Sequence, residues 1–141
     1  MNAADSNVYI YAFDADEPLK KGVAESLFDG WAPRRSGSVL LWQVADEVLN
    51  VLRKWEMKGK VSSEDARRTF QIVRSMFPLL LPTGAIFSKS FDLRSKFSLS
   101  HWDSMLLAAA KEAGITTLYS EDMTDGCDDD GVVVVNPLRG C

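Results

Sequence analysis

The stretch LSHWDSMLLAAAKEAGITTLYSEDM, residues 99–123, decides how the rest of the chain is read. Ser100 stands three residues before Asp103, the spacing of a capping box, and Trp102, Met105, Leu106, Leu107, Ala109 and Ala110 make the helix it opens apolar on most sides. A helix of that kind predicts burial. Gly114 suits the left-handed position that ends a helix, and Thr116, Thr117, Leu118 and Tyr119 follow as a β-branched and aromatic strand stopped by Ser120, Glu121 and Asp122. A carboxylate at a helix start and another just past a strand's carboxyl end can share one crevice. Asp103 serves equally well as a first-turn acid favoured by the helix dipole, and Glu121 and Asp122 as polar turn residues, so this stretch alone leaves both readings open.

Working outward to the beginning of the chain, Asn2 to Ala4 is long enough only for a stub of strand that ends at Asp5, and Ser6 and Asn7 offer N-cap chemistry. The next run, VYIYAF at 8–13, reads two ways: as a buried strand on propensity, or as a capped helix. Pro18 starts a helix carrying Val23, Leu27 and Phe28, and 31–37 is a loop. Val39 to Trp42 predicts a short strand, and 43–55 an amphipathic helix with Val44, Val48, Val51, Leu52 and Trp55 inward. On pattern alone Glu47 belongs to that helix's solvated face. Ser62 and Asp65 form a second capping box, opening a helix with Ala66, Phe70, Val73 and Phe77 inward and Arg67, Arg68, Gln71 and Arg74 outward. Leu79 to Leu81 is a third short strand, 83–97 a weaker helix, 124–131 an acidic loop, and Val132 to Val135 a last strand.

At 141 residues, with 46% apolar and 10% aromatic residues, the chain predicts one domain over 1–141 with a sizeable core. A net charge of −4 excludes a chain that attracts nucleic acid as a whole. A polyanion would need a local basic rim, for which Lys20, Lys21, Arg34, Arg35, Arg67 and Arg68 are the candidates. Cys127 and Cys141 lack the neighbours of a zinc site, so a reduced, cytoplasmic setting is expected. The start has no basic segment before an apolar run, and no apolar run approaches ~20 residues, which argues against a signal peptide and a membrane span.

Strands alternating with helices imply a mostly parallel sheet with helices on both faces. Ligands of such sheets bind beyond the carboxyl ends of the strands, where strand order reverses, and Asp5 and Asp122 stand at two such ends. Were Asp5, Glu47, Asp103 and Asp122 to converge, their mutual repulsion would be relieved by protonation or by a cation. A donor set of oxygens alone selects Mg²⁺ or Mn²⁺, and the natural chemistry of such an ion is phosphodiester hydrolysis. If VYIYAF were a strand instead, it would deliver Asp14 and Asp16 at its end, in the manner of a haloacid-dehalogenase-type phosphatase, although Pro18 falls where that pattern wants Thr or Val. A third reading is a non-catalytic protein-binding module whose acids are caps and solvated faces.

Asp5-Ser6-Asn7 before VYIYAFDADEP, Glu47 in QVADEVLNVL, Trp102-Asp103 in LSHWDSMLLAAAKEAG, Ser120-Glu121-Asp122-Met123 in LYSEDMTDG and the closing VVVVNP resemble the PIN-domain ribonucleases, most of all the VapC-type toxins of toxin–antitoxin systems. The resemblance covers essentially the whole chain. It implies a three-layer α/β/α domain whose mostly parallel sheet has about five short strands, with VYIYAF in a first helix. It implies an endoribonuclease in which Asp5, Glu47, Asp103 and Asp122 are catalytic and hold Mg²⁺ (or Mn²⁺), supported by Ser6, Asn7, Ser120 and Glu121. Within the doublets Asp46-Glu47 and Glu121-Asp122 it favours Glu47 and Asp122. The partners it implies are an RNA substrate, a cognate antitoxin and a second copy in a homodimer, with no membrane. The chain's own hint of self-association is a surplus of aromatic residues among Trp31, Trp42, Trp55 and Phe77.

Overall fold

The computed structural model describes residues 1–32, 37–126, 128–129 and 131–141. Arg34 and Arg35 of the expected basic rim, and Cys127, lie outside the described residues. In chain order the elements are β1 (Asn2–Ala4), α1 (Ser6–Tyr11), α2 (Pro18–Trp31), β2 (Leu40–Leu41), α3 (Trp42–Met57), α4 (Ser63–Met76), β3 (Leu79–Leu80), α5 (Ala85–Phe97), α6 (His101–Glu112), β4 (Thr117–Tyr119), β5 (Asp128–Asp129) and β6 (Val132–Val135).

Four strands pair in the order β1-β4-β6-β5, with Ala3 opposite Leu118 and Leu118 opposite Val134. β2 pairs with β3. A parallel bridge between Asn2 and Ser38, with the Val39 N–H donating to the Asn2 carbonyl at 3.1 Å, joins the two groups into one run, β3-β2-β1-β4-β6-β5. Among the described residues only β5 runs antiparallel, and it lies inside the segment expected to be an acidic loop. The chain winds outward from β1 through β2 to β3, then crosses back through α5 and α6 to lay β4 on the other side of β1. The order therefore reverses between β1 and β4. Helices cover this sheet in three α/β/α layers.

The run VYIYAF is no strand: Val8 to Tyr11 lie in α1 and Ala12 and Phe13 in the turn after it, Asp5 caps α1 by accepting from the Ser6 N–H, and Val8, Tyr9 and Ile10 are buried. Six residues of helix have little stability alone, so tertiary burial overrides the β propensity of this run. With no strand ahead of Asp14 and Asp16, the phosphatase reading is removed. Asp14 instead closes the turn after α1, accepting from the Asp16 N–H at 3.1 Å and from Lys60 Nζ at 2.7 Å.

Both serine N-caps form, with Ser62 Oγ accepting from Asp65 N–H and Ser100 Oγ from Asp103 N–H. At the far end of α6, Gly114 takes φ +74, and the N–H groups of Gly114 and Ile115 return to the carbonyls of Lys111 and Ala110. That closure turns the chain from α6 into β4. α6 buries Leu106, Leu107 and Ala108 to Ala110, but Trp102, expected among its buried residues, is 67% exposed. The reverse correction applies to Trp31, expected as surplus: it is buried, in an aromatic chain running Tyr9, Phe28, Trp31, Tyr119, with Phe77, inward as the helical pattern has it and so no surplus either, against both Phe28 and Trp31. The exposed aromatic residues are Trp42, Phe87, Phe91 and Trp102.

Candidate active site at the sheet switch point

Asp5 follows β1 directly, and Ser120 follows β4. The Asp5 N–H donates to the Tyr119 carbonyl at 2.8 Å and the Ser120 N–H to the Val135 carbonyl at 2.9 Å, so backbone pairing runs one step past the strands and sets the two residues side by side. Ser120 Oγ then donates to Asp5 Oδ2 at 2.8 Å, and the Ser6 N–H to Asp5 Oδ1 at 2.7 Å. Each carboxylate oxygen has a neutral donor. Asp5 is 6% exposed, and burial is the main reason its carboxyl is pushed up to about 6. The negative charges of Glu47 and Asp122 add to the rise, against the hydrogen bonds from Ser120 and Ser6.

Two short side chains of α1 tie the other acids to this point. Ser6 Oγ donates to Glu47 Oε2 at 2.9 Å, and Asn7 Nδ2 to Asp122 Oδ2 at 3.0 Å. Glu47 comes from α3, whose turn beyond β2 aims that helix face at the crevice. The neighbouring acids face elsewhere. Asp46 is exposed on α3, and Glu121 is held at 3.1 Å by Tyr11 Oη and at 2.9 Å by Lys20 Nζ. The two hydrogen bonds to Glu121 and Tyr11 hold the Lys20 ammonium above its ordinary value. Asn7 and Tyr11 stand four apart on α1, which puts both against the Ser120–Met123 loop.

Asp5, Glu47 and Asp122 thus belong to one hydrogen-bonded network with Ser6, Asn7 and Ser120. Asp103, half-buried in the first turn of α6, is not bonded into it among the described residues. The start of α6 is tied to α3 by Gln43, whose Nε2 donates to the Trp102 carbonyl at 3.4 Å and approaches Glu47 Oε1 at 3.5 Å. Of the expected basic rim, Lys20 is committed to Glu121, Lys21 to Glu25, and Arg68 to Glu64 and Asp65. Sequence reasoning missed Tyr11 and Gln43 as members of this region. Their helical registers with Asn7 and Glu47 are the signal that points to them, whereas nothing in the sequence ties Lys20 to an acid 101 residues away.

Among the described residues no three His, Cys, Asp or Glu side chains stand together so that they could hold a metal ion. The donor chemistry nevertheless fits a hydrated divalent ion. The crevice offers only hard oxygens, its buried carboxylate carries no cationic partner among the described residues, and Mg²⁺ keeps several waters while using one or two carboxylates.

A family model for the PIN domain matches residues 3–123. The chain belongs to the PIN domain family. Among solved structures, a toxin–antitoxin complex from Klebsiella pneumoniae superposes with a TM-score of 0.72 at 21% identity, covering 97% of this chain and 98% of that one. FitAcB from Neisseria gonorrhoeae gives 0.69 at 15% identity over 99% of both chains. VapC20 from Mycobacterium tuberculosis, described as a toxin that cleaves the sarcin–ricin loop, gives 0.63 at 15% identity over 86% of this chain and 90% of that one. At these identities the likeness concerns the fold. No sequence among curated proteins matches this PIN domain, and no helix among its described residues is long and apolar enough to cross a membrane.

Proposed function

We propose that this PIN domain is a Mg²⁺- or Mn²⁺-dependent endoribonuclease, the toxin of a toxin–antitoxin pair, held inactive by a cognate antitoxin protein. The observation that carries the reading is Asp5. This carboxylate is buried at the sheet's switch point, bonded to neutral donors only, and raised towards protonation by burial and by Glu47 and Asp122. Such an arrangement costs stability unless a cation joins it. The family and the names of two similar structures, a toxin–antitoxin complex and an RNA-cleaving toxin, support the choice of substrate and partner.

A bound divalent ion would polarise a phosphodiester and lower the pKa of an attacking water. The chain's own part is positional. Ser6 N–H and Ser120 Oγ fix both oxygens of Asp5. Ser6 Oγ orients Glu47 and Asn7 orients Asp122, so the two acids flank Asp5 from α3 and from the loop after β4. Asp103 supplies the fourth carboxylate from the start of α6. Asp5→Asn and Asp103→Asn keep side-chain volume and capping ability while removing charge. Both should lower cleavage of RNA in Mn²⁺ by more than about 100-fold, the upper end of the loss when a residue merely orients a metal ligand. Parental rates in both variants would overturn the reading.

A further inference from the structure

Beside the acid network lies a cleft of about 550 Å³ lined by Gln43, Asp46, Glu47, Leu49, Asn50, Arg53 and Trp102. We infer that this cleft receives an unpaired nucleobase of the RNA, stacked on the Trp102 indole next to the phosphodiester that is cut. The inference rests on the nuclease reading and adds a specific contact to it: one base of the RNA held against Trp102.

Three observations point to a base. First, Glu47 belongs both to the cleft and, through Ser6, to the network around Asp5, so whatever fills the cleft adjoins the reacting phosphate. Second, Trp102 is 67% exposed although it sits on a helix that buries most of its other apolar side chains. His101 meets the indole edge-on, with ring centroids 4.6 Å apart and planes 73° apart, and Gln43 holds the Trp102 backbone. The ring is placed and still open. Third, the facing wall is polar in the way a nucleotide requires. Gln43, Asn50 and Arg53 recur along one face of α3 and offer two amides that can pair with a base edge and a guanidinium for a phosphate, alongside the carboxylates of Asp46 and Glu47, which accept from a base's amino group. A neighbouring cavity of about 580 Å³ shares Gln43, Asp46 and Trp102 with this cleft, but its other walls are mainly apolar, with Trp42, Leu81 and Phe87, and it has neither Asn50 nor Arg53, so it suits a different, apolar occupant. Stacking on an aromatic side chain is tolerant of base identity and demands an unstacked base, which a duplex does not provide.

The test uses the full chain and a short, unstructured, labelled oligoribonucleotide of mixed sequence. Trp102→Ala should raise KM about tenfold, with the loss falling on KM rather than kcat, and Trp102→Phe, which keeps a π-face, should recover most of it. An abasic nucleotide beside the cut should cost the parent a similar factor and cost Trp102→Ala nothing further. Equal KM values for parent and Trp102→Ala, or a loss that Phe leaves unrepaired, would overturn the inference. So would a Trp102→Ala protein that changes from dimer to monomer by sedimentation with an unaltered KM, since the face would then belong to a second copy. Should the parent cut no RNA, the nuclease reading fails by itself. The cleft is then judged by anisotropy on the parent, where equal binding of intact and abasic oligonucleotide removes it.

Discussion

Two aspartates of this PIN domain are almost equally buried and live in opposite electrical surroundings. Asp14, in the turn between α1 and α2, is 9% exposed and has Lys60 Nζ at 2.7 Å; the same ammonium reaches Asp16 at 2.9 Å and lies 4.2 Å from the Trp55 ring centroid. Asp5, 6% exposed, has a hydroxyl, a backbone amide and two further carboxylates nearby. A buried acid that serves the fold is neutralised by the fold itself. One left with acids for neighbours is kept at a cost that folding alone does not explain, and that contrast separates a structural acid from a candidate ligand more sharply than burial does.

The largest test of the contrast is titration. Because the Asp5 carboxyl is pushed up from 3.8 to about 6 by burial first and by Glu47 and Asp122 after it, the folded protein binds a proton there that the unfolded chain does not between those values. Stability without metal should therefore fall as pH rises through that window and stay low above about 6, by about 3 kcal/mol from this group at 1.36 kcal/mol per unit. Urea unfolding in EDTA should show the fall in the parent and a flatter profile in Asp5→Asn. Identical profiles would mean that Asp5 carries no penalty.

A slightly smaller effect should follow metal addition. If the cation binds only the folded state, it stabilises the parent by about 2.7 kcal/mol at 100 times its Kd. Asp122→Asn removes one of the charges acting on Asp5 and keeps an amide oxygen for Asn7. The variant should melt at or above the parent in EDTA and below it in millimolar Mn²⁺. Equal destabilisation in both conditions would reduce Asp122 to a turn residue and pass the ligand role to Glu121, which Lys20 and Tyr11 now occupy.

What was legible in the sequence follows the range of the interactions concerned. Ser62 with Asp65 and Ser100 with Asp103 act within one helical turn, so both caps could be read directly, as could the stub at Asn2–Ala4 and the run Val132–Val135. VYIYAF could not be decided locally, because burial of Val8, Tyr9 and Ile10 overrides its propensity. β2 and β3, two residues each, were legible as the apolar runs Val39 to Trp42 and Leu79 to Leu81, whereas β5, two acidic residues, carries neither a period nor an apolar signal. The side of each aromatic residue was illegible for a related reason: composition counts Trp31 and Trp102 alike, and only packing buries the one and exposes the other. At the site, pattern alone left Glu47 on a solvated face, and its place beside Asp5 depends on a hydroxyl 41 residues away.

The smallest effect examines the other half of the comparison. Lys60 is placed by the end of α3, where Gly59 takes φ +75 and the Lys60 N–H returns to the Trp55 carbonyl at 2.9 Å. This closure is set by backbone, so Lys60→Met should leave it intact and keep an apolar stem against Trp55 while removing the ammonium from Asp14. Losing one partner of a fully buried pair costs ~3–5 kcal/mol. With side-chain exposures of 29% for Lys60 and 12% for Asp14, water screens part of that, and about 1–2 kcal/mol is the expected loss in urea unfolding at neutral pH. Adding Asp14→Asn should restore much of it, since the buried group then needs only hydrogen bonds, and RNA cleavage should stay at the parental rate throughout. If Lys60→Met proves neutral, a buried aspartate in this protein does without a counter-charge, and the lack of one beside Asp5 ceases to argue for a cation there.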